Sequence, residues 1–574
     1  MIEGSDPARA ARGAAEPESA RVSDGASPPV RYVPLGGLGE VGLNMWALEY
    51  DGQVLVVDAG LMFPHEEMLG VDLVLPDISY LFAEGRRVLG VVLTHGHEDH
   101  VGGLPFLLKR ANVPVYGTGI TLGLLRSRLR EHRVLKEAIL REVEPGDRVQ
   151  LGPFRVETVA VCHSIPGALA VAIETPVGRV LYTSDFKIER DPPYGYGTDV
   201  DRFRRLGDEG VLMMLSDSTN VEREGRSGSE RDLGPGFERI FDDAPGRIVV
   251  ATFASNIHRL QRVIGLAAAH GRHVAVVGRS MRNAFHTARE LGYLDVPDGM
   301  TLRLAKAVDD PRLVLLTAGS QGEPMSALAR FAARRHHVVN VRQGDWVVIS
   351  ARPIPGNERL VNHTIDNLYR HGAARVFYGE TGHVHVSGHA YRGELREMVQ
   401  MVRPRYLVPV HGEYRQLHLH AELAVDAGMA AECVHVLEDG RVVELRPDSL
   451  RVTDENVSGL VFVDGLGIGD VEQVVLRDRR HLAQDGIVVA AVGIDRDTGA
   501  LRMGPELISR GVMGPDLSDE LEREARQATR AAVKAAGSPP NRAVLQDAVH
   551  DALSRLVWKR TGRRPMVLPV VSEL

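Results

Sequence analysis

The stretch Val91-Val-Leu-Thr-His95-Gly-His97-Glu-Asp99-His100 decides how this chain folds and what chemistry it can carry. An apolar run typical of a strand leads directly into a short loop that holds three histidines and an aspartate. These side chains are ligands that borderline divalent ions such as zinc prefer. A lone histidine at a strand end is usually structural, but this many polar groups at the end of a core strand need a common partner. The stretch therefore predicts a metal site at the end of a buried strand.

The composition is that of an ordinary globular protein with several domains. Its 574 residues exceed what one hydrophobic core usually supports. Hydrophobic residues at 44% and charged residues at 25% are sufficient to bury a core. The longest apolar runs have the length of strands, so no transmembrane segment is predicted. With two cysteines, Cys162 and Cys433, and no N-terminal secretory pattern, the sequence predicts a cytoplasmic location without a disulfide framework.

Basic residues form local clusters, although the chain as a whole is mildly acidic. The formal net charge is −8, so any contact with a polyanion must be local. Most such clusters are solvated faces, and each is also a candidate for contact with a substrate. The clusters are Arg126, Arg128, Arg130 and Arg133; Arg334, Arg335, His336 and His337; Arg477, Arg479 and Arg480; and Lys559, Arg560, Arg563 and Arg564.

The pattern of apolar residues changes along the chain and predicts several segments. Short β-type runs separated by turn residues indicate a layered sheet protein, and alternating strands and helices then indicate an inserted doubly wound α/β unit. The N-terminal residues are too poor in large apolar side chains to fold. The predicted segments are a disordered tail, 1–28; the first part of the sheet domain, 29–230; the inserted domain, 231–380; the second part of the sheet domain, 381–450; a linker, 451–475; and a small α/β C-terminal domain, 476–574.

The metal-ligand stretch resembles the signature of the metallo-β-lactamase superfamily, whose fold is an αββα sandwich. The other motifs of that superfamily occur in the expected order. Their residues are Asp58 in Leu55-Val-Val-Asp58, His163 in Val161-Cys-His163, Asp185 in Leu181-Tyr-Thr-Ser-Asp185 and His411 in Val408-Pro-Val-His411. Taken singly, the aspartates at strand ends could be turn formers or helix caps, and His163 could pack in the core.

The resemblance implies two divalent metal ions, with Zn²⁺ expected and Mn²⁺ as the alternative. Asp58 is implied to orient the loop ligands from behind. The implied ligand sets are His95, His97 and His163 for one ion and Asp99, His100 and His411 for the other, with Asp185 shared.

The large unit between Asp185 and His411 resembles the insertion of the β-CASP group of nucleases. Asp217 and His389 match further motifs of that group, and a histidine at position 411 resembles its RNA-processing branch. Several stretches resemble the ribonuclease J family in particular. They are Leu35-Gly-Gly-Leu-Gly-Glu-Val-Gly, Asp217-Ser-Thr-Asn, Thr252-Phe-Ala-Ser-Asn-Ile-His-Arg-Leu-Gln, Thr317-Ala-Gly-Ser-Gln-Gly-Glu-Pro, His411-Gly-Glu-Tyr-Arg and Arg563-Arg-Pro-Met-Val-Leu-Pro.

This resemblance implies a ribonuclease that hydrolyses RNA in the 5′-to-3′ direction, favours 5′-monophosphate ends and also cuts internally. It further implies a homodimer or higher homo-oligomer formed through the C-terminal domain, and partners in an assembly for RNA decay. Two other functions stay open. A small-molecule hydrolase of the thioesterase type would lack the large insertion, and an inactive RNA-binding scaffold would have lost metal ligands.

Proton transfer during phosphodiester hydrolysis is assigned to His389. Cleavage that leaves a 5′-phosphate requires a proton for the departing 3′-oxygen, and an imidazolium is a suitable donor near neutral pH. A neighbouring carboxylate favours the charged imidazole, and we assign that role to Asp217. The alternative is that Asp217 is an ordinary residue at a strand end.

Phosphate binding is expected at two places. Ser255 and Asn256 lie at a predicted helix start, where backbone N–H groups favour anions, although Ser255 could equally be a plain helix cap. His385, Ser387 and Gly388, close to His389, are candidates for the same role.

The resemblance also implies a structural cation between domains. Asp72 and Asp464 are the candidate ligands of a Ca²⁺- or Mn²⁺-like ion, and either could instead be a surface turn residue.

Overall fold

The computed structural model describes residues 27–65, 67–354, 356–379, 381–465, 467–469, 473–512, 518–536 and 542–574. The predicted tail, 1–28, lies outside the described residues except for its last two positions, which have no regular structure.

Strands dominate the first part of the chain. Among the described residues, three short 3₁₀ helices accompany the other elements: Ser79–Phe82, Glu230–Leu233 and Ala431–Cys433. The strands up to residue 217 are β1 Val30–Gly36, β2 Leu38–Gly39, β3 Met45–Tyr50, β4 Gln53–Val57, β5 Leu73–Pro76, β6 Arg87–Val92, β7 Pro114–Gly117, β8 Ile139–Glu142, β9 Arg148–Leu151, β10 Phe154–Ala160, β11 Leu169–Thr175, β12 Gly178–Tyr182 and β13 Met213–Asp217. The helices of the same part are α1 Glu98–Val101, α2 Leu104–Arg110, α3 Gly119–Glu131 and α4 Val200–Glu209.

Helices and strands alternate in the inserted part, and strands return after it. The inserted elements are α5 Gly234–Asp243, β14 Ile248–Ala251, α6 Ile257–Ala269, β15 His273–Val277, α7 Arg279–Glu290, α8 Leu304–Ala307, β16 Leu313–Thr317, α9 Ala327–Ala332, β17 Trp346–Ile349, α10 Glu358–Arg370 and β18 Arg375–Phe377. The next elements are α11 Arg392–Val402, β19 Tyr406–Val410, β20 Gly412–Glu413, α12 Tyr414–Asp426, β21 Arg441–Leu445, β22 Leu450–Asn456, β23 Leu460–Asp464 and β24 Gly467–Ile468. The last elements are α13 Gln473–Asp485, β25 Ile487–Ile494, β26 Leu501–Arg510, α14 Ser518–Ala535, α15 Arg542–Thr561 and β27 Met566–Glu573.

Two sheets packed face to face form the first domain. One has eight strands in the order β22-β21-β1-β3-β4-β6-β7-β8, and the other has six in the order β19-β13-β12-β11-β10-β9. Their inner faces share one apolar core, to which Trp46 contributes from the first sheet and Tyr182 from the second. Helices α2 and α3 cover the outer face of the first sheet, and α4, α11 and α12 cover that of the second. The fold is therefore the expected αββα sandwich.

Strand β3 shows why continuous apolar runs appear in this sequence. Met45 and Ala47 face the helix-covered layer, whereas Trp46 and Leu48 face the core between the sheets. Successive side chains of a strand point to opposite faces, so a strand buried on both sides needs apolar residues at every position.

The inserted domain is a doubly wound α/β unit, as expected. Its parallel sheet has the order β15-β16-β14-β17-β18. Helices α5, α6 and α7 share a core with one face of the sheet, and α9 and α10 share a core with the other. The C-terminal domain is smaller, with a three-stranded sheet in the order β26-β25-β27 that packs against α14 and α15.

The segment 451–475, which the sequence predicts to be a linker, instead carries strands. Strand β22 pairs with β21 at the border of the eight-stranded sheet, and β23 pairs with β5 and β24. Most side chains of β22 are exposed, so its sequence lacks the apolar pattern of a core strand. Backbone hydrogen bonds with neighbouring strands hold β22, β23 and β24 in place, and composition does not reveal these bonds.

No helix in the described ranges has the length and apolar character that a membrane span requires.

Candidate active site

Neighbouring strand ends carry the candidate site residues to one edge of the sandwich. Strands β12, β13 and β19 run parallel to one another, so the residues that follow them emerge at the same edge. Asp185, Asp217 and His411 lie at these strand ends. The ligand loop after β6 and His163 after β10 come from the other strands that end there.

The first predicted ligand set converges on one point. His95 Nε2 lies 3.1 Å from His97 Nδ1, and His163 Nε2 lies 3.2 Å from the same nitrogen. Asp185 Oδ2 lies 3.6 Å from His95 Nε2 and 3.7 Å from His163 Nε2. These three imidazoles and one carboxylate offer ligand atoms that all lie within 4.8 Å of one another.

The second predicted set surrounds the other side of Asp185. His100 Nε2 lies 3.4 Å from Asp185 Oδ2, and His411 Nε2 lies 3.8 Å from Asp185 Oδ1. Asp99 Oδ2 is 3.3 Å from His411 Nε2. Asp185 thus lies between the two sets, as the resemblance implied.

The donor set fits divalent metal ions. Asp185 Oδ1 is buried and finds no hydrogen-bond partner among the described residues. A buried carboxylate oxygen without a partner is costly, and a cation would remove that cost. Imidazole nitrogens that converge to about 3 Å also suit a shared cation better than mutual hydrogen bonds, because each such bond needs one protonated and one unprotonated nitrogen. The residues therefore form clusters able to bind divalent metal.

Asp58 supports the second set from behind. Its carboxylate accepts hydrogen bonds from the backbone N–H and hydroxyl of Thr94, and it lies 2.8 Å from His100 Nδ1. Burial raises the pKa of Asp58, against the opposing influence of His100 and Thr94. A carboxylate on the outer nitrogen of an imidazole fixes which nitrogen faces the site.

His389 and Asp217 form a hydrogen-bonded pair beside the clusters. His389 Nδ1 lies 2.8 Å from Asp217 Oδ2, and His389 Nε2 lies 4.0 Å from Asp185 Oδ2. Burial disfavours protonation of His389, but the charges of Asp217 and Asp185 outweigh it and raise the pKa of the imidazole. Burial would by itself raise the pKa of Asp217, and the charge of His389 instead holds it below its usual value. The pair therefore engages Nδ1 of His389 and leaves its Nε2 on the side of Asp185.

Thr219 and Asn44 also contact the site residues, although neither was predicted from the sequence. Thr219 Oγ1 donates to Asp217 Oδ1 at 2.7 Å and lies 2.7 Å from His411 Nδ1. Asn44 Nδ2 lies 3.3 Å from Asp99 Oδ2 and 3.1 Å from His100 Nε2. Thr219 lies in the quoted Asp217-Ser-Thr-Asn stretch, which was a usable signal. Asn44 is distant from Asp99 and His100 in the sequence and lies beside them only in the folded protein.

The predicted phosphate-binding residues form two groups, one at the start of α6 and one in the loop before α11. Asn256 is buried and caps α6 by accepting from the N–H of Arg259 at 3.1 Å, so its side-chain oxygen is already engaged. Ser387 Oγ accepts from Asn220 Nδ2 at 2.8 Å and from the N–H of His389 at 3.1 Å. Ser255 precedes the cap, and its side chain is partly exposed.

Gly388 and His385 belong to the same loop as Ser387. The carbonyl oxygen of Gly388 lies 2.8 Å from His163 Nδ1, which links this loop to a predicted metal ligand. His385 Nδ1 is buried without a hydrogen-bond partner in the described part of the chain. The loop 385–389 therefore contacts the site directly, whereas Asn256 acts as a helix cap.

Asp72 and Asp464 lie near each other, but no cluster of three metal-binding groups among the described residues includes them. Asp464 Oδ2 accepts from Arg479 Nη2 at 2.5 Å, and Asp72 Oδ2 accepts from the N–H of Gly465 at 2.8 Å. A guanidinium therefore lies beside Asp464, where the resemblance implied a metal cation.

Comparison with known proteins identifies the domains that the fold suggests. The matching family models are the metallo-beta-lactamase superfamily over residues 38–222, the beta-CASP domain of ribonuclease J over 245–368, the RNA specificity domain of Zn-dependent metallo-hydrolases over 380–436, and the ribonuclease J C-terminal domain over 474–574.

Curated relatives match over nearly the whole chain. Ribonuclease J2 of Bacillus subtilis is 39% identical over 549 residues, which cover 95% of this chain and 99% of that protein. Ribonuclease J of Thermus thermophilus is 41% identical over 554 residues, with 95% of each chain covered. A crystal structure of a protein of unknown function from Enterococcus faecalis V583 shares the fold alone, with a TM-score of 0.53 and 18% identity over 73% of this chain and 100% of that chain. With such identity over such a span, the chain belongs to the ribonuclease J family.

Proposed function

We propose that this protein is a metal-dependent ribonuclease that hydrolyses RNA phosphodiesters. It works from the 5′ end in the 5′-to-3′ direction, favours a 5′-monophosphate and also cuts internally. The observation that carries the proposal is the His389–Asp217 pair, which lies beside two full sets of metal-binding groups. A small-molecule hydrolase would not need this second acid, and an inactive scaffold would not retain both ligand sets.

Two metal ions held by the predicted sets would supply Lewis acidity and an activated water. We propose Zn²⁺ as the physiological ion, because imidazole-rich sets suit it, with Mn²⁺ as the alternative.

His389 supplies the proton in the proposed reaction. Its Nδ1 is engaged by Asp217, so its Nε2 is the nitrogen that faces Asp185 and the reacting phosphate. The Nε2–H would donate to the departing 3′-oxygen as the phosphodiester breaks. Asp217, itself held by the hydroxyl and N–H of Thr219, positions the imidazole and favours its protonated form.

The loop 385–389 is the proposed phosphate-binding element for the 5′ end. Ser387 Oγ, with Asn220 directed at it, offers a polar group beside His389, and the unsatisfied nitrogen of His385 offers another in the same loop. A terminal monophosphate carries more negative charge than an internal phosphodiester, and a compact set of donors discriminates between the two.

The proposed function also concerns where the protein acts and what it associates with. We propose a cytoplasmic protein that associates with other proteins of RNA decay and forms a homodimer or higher homo-oligomer through its C-terminal domain. In support of that interface, Ile508, Leu568 and Val570 are exposed apolar residues on the sheet of this domain.

The test compares 5′-monophosphorylated, 5′-triphosphorylated and 5′-hydroxyl RNA, end-labelled and incubated with the purified protein and Mn²⁺ or Zn²⁺. We expect mononucleotides from the monophosphorylated RNA and longer internal fragments from the other two. His97→Ala should remove a ligand and abolish both products. Full activity of that variant would contradict the metal-dependent mechanism, and equal mononucleotide yields from all three RNAs would contradict the preference for a monophosphate.

A further inference from the structure

Six exposed arginines line one surface that runs from the metal-binding domain onto the inserted domain. They are Arg126 and Arg130 of α3, Arg279 and Arg282 of α7, and Arg334 and Arg335 after α9. We call them the arginine surface. We propose that the arginine surface binds the phosphate backbone of RNA outside the catalytic cleft, and this inference rests on the proposed ribonuclease function.

Packing joins the three helices into a continuous surface. Asn283 Nδ2 of α7 donates to Ser127 Oγ of α3 at 3.1 Å, and a cleft of about 560 Å³ between these helices is lined by Arg126, Arg130 and His286. A methyl group placed on Gly278, directly before α7, would lie 3.4 Å from Cβ of Ala327, the first residue of α9. The arginines therefore belong to adjoining elements.

The charges of this surface are not compensated by ion pairs. None of the six guanidinium groups has a carboxylate within 4.0 Å in the described ranges. Some exposed arginines elsewhere in the chain are paired, as Arg226 is with Glu397 and Arg403 with Asp208. In a protein with a net charge of −8, a run of unpaired arginines creates a local field that attracts a polyanion.

Local sequence keeps acidic residues away from most of this surface. Residues 244–289 and 324–344 contain no aspartate or glutamate. Positive charges are also close enough to affect His336, because its pKa is lowered by burial and then by His337, Arg330 and Arg282. Glu142 and Glu290 line the cleft beside α3, so the positive excess is greatest on α7 and after α9.

The position of α3 connects this surface to the catalytic centre. Arg128 of α3 pairs with Glu98 in the metal-ligand loop, and a methyl group on Gly96 of that loop would lie 3.2 Å from Leu124 of α3. An RNA longer than the cleft can therefore continue from the site along α3 and α7. This favours RNA over an acidic protein as the occupant, because the surface starts where the proposed substrate is held.

The test removes charge from the part of the surface farthest from the carboxylates. The variant Arg282→Gln/Arg334→Gln/Arg335→Gln is compared with Arg205→Gln/Arg239→Gln/Arg555→Gln, which removes three exposed arginines that lie outside the surface. Both are measured as metal-loaded full-length protein. The probes are a long single-stranded RNA made resistant to hydrolysis by phosphorothioate linkages and an RNA too short to leave the cleft.

We expect the Kd of the first variant for the long RNA to rise roughly tenfold and its salt slope to fall by roughly 2, because phosphate contacts release counterions. Its Kd for the short RNA and the binding by the control variant should stay close to wild type. Equal binding of the long RNA by both variants would overturn the inference. The same result is expected if the surface binds an acidic protein instead of RNA. If the wild-type protein binds RNA but does not cleave it, the proposed ribonuclease function is contradicted and the proposed RNA-binding surface is not.

Discussion

At the scale of single residues, the proposed proton transfer depends on a hydrogen bond between side chains far apart in the chain. His389 and Asp217 are 172 residues apart in sequence, yet His389 Nδ1 lies 2.8 Å from Asp217 Oδ2. Asp217 also accepts the hydroxyl and N–H of Thr219, so its carboxylate has a fixed orientation. One residue would therefore act as the proton donor, and the other would position it.

We expect His389→Ala to lower kcat by roughly 100-fold to 10,000-fold, as loss of a general acid usually does. Asp217→Asn should keep the hydrogen bond but remove the negative charge that raises the pKa of His389. The alkaline limb of the kcat profile, where His389 loses its proton, should then move by about 1 unit toward lower pH. The measurement is RNA cleavage across pH at saturating metal.

The matched control is His418→Ala on α12, whose imidazole is mostly exposed and contacts Glu422. It should leave both kcat and the pH profile unchanged. A profile of Asp217→Asn that overlays the wild-type profile would show that Asp217 does not act through His389.

At the scale of elements, the turns after the strands direct side chains into the site by unusual backbone conformations. Asp58, Ser184 and His411 have φ values of 57°, 55° and 54°, which few residues other than glycine adopt. Such strain persists where the surrounding structure holds it, and it is common at functional sites. In the loop before α11, Gly388 lies close to the predicted ligand His163.

Gly388→Ala should weaken metal binding without removing any ligand. The new methyl group would lie 2.8 Å from both His163 Nδ1 and the backbone nitrogen of Ser164, so His163 must shift. We expect metal affinity to fall by roughly 10-fold to 100-fold, as when a group that orients a ligand is lost. The measurement is metal content after dialysis against a graded series of chelator concentrations.

Gly265→Ala on α6 is the control, since nothing lies within 4 Å of the added methyl group and alanine favours a helix. Its metal content should match that of the wild-type protein. Unchanged metal retention in Gly388→Ala would mean that the loop 385–389 does not hold His163 in position.

At the scale of the whole molecule, separate apolar cores supply the buried surface of each domain. The cores between and outside the two sheets, inside the inserted domain and inside the C-terminal domain consist of buried aliphatic and aromatic residues. The metal-binding groups lie at one edge of the sandwich rather than within these cores. We therefore expect a bound metal to stabilise a domain that is already folded.

Removal of divalent metal should abolish RNA cleavage while the far-ultraviolet circular dichroism stays native. The lowest thermal transition should fall by several degrees, because a ligand at about 1,000 times its Kd stabilises the native state by about 4 kcal/mol. Zn²⁺ or Mn²⁺ added back should restore both properties. Suppose that chelation leaves the thermal transition of the wild type unchanged but that His97→Ala changes it. That result would indicate that the ligand residues act through folding alone.

Much of the architecture follows from local patterns. The loop from His95 to His100 carries its ligand types in a short spacing, and β3 and β4 carry the apolar runs of strands buried on both faces. Alternating helices and strands likewise predicted the parallel sheet of the inserted domain, because each element has its own period. Segment 451–475, which the sequence predicts to be a linker, carries strands whose order comes from pairing with β21 and β5.

The amino-acid sequence by itself determined which residues could bind metal and which could carry a proton, because these properties belong to the side chains and to their places at strand ends. Tertiary structure alone decided that Arg479 pairs with Asp464 and that Asn44 joins the site. It also decided that the arginines of α3, α7 and the turn after α9 share one surface. These contacts join segments distant along the chain, and the packing of sheets and helices, rather than any local pattern, sets the distances between them.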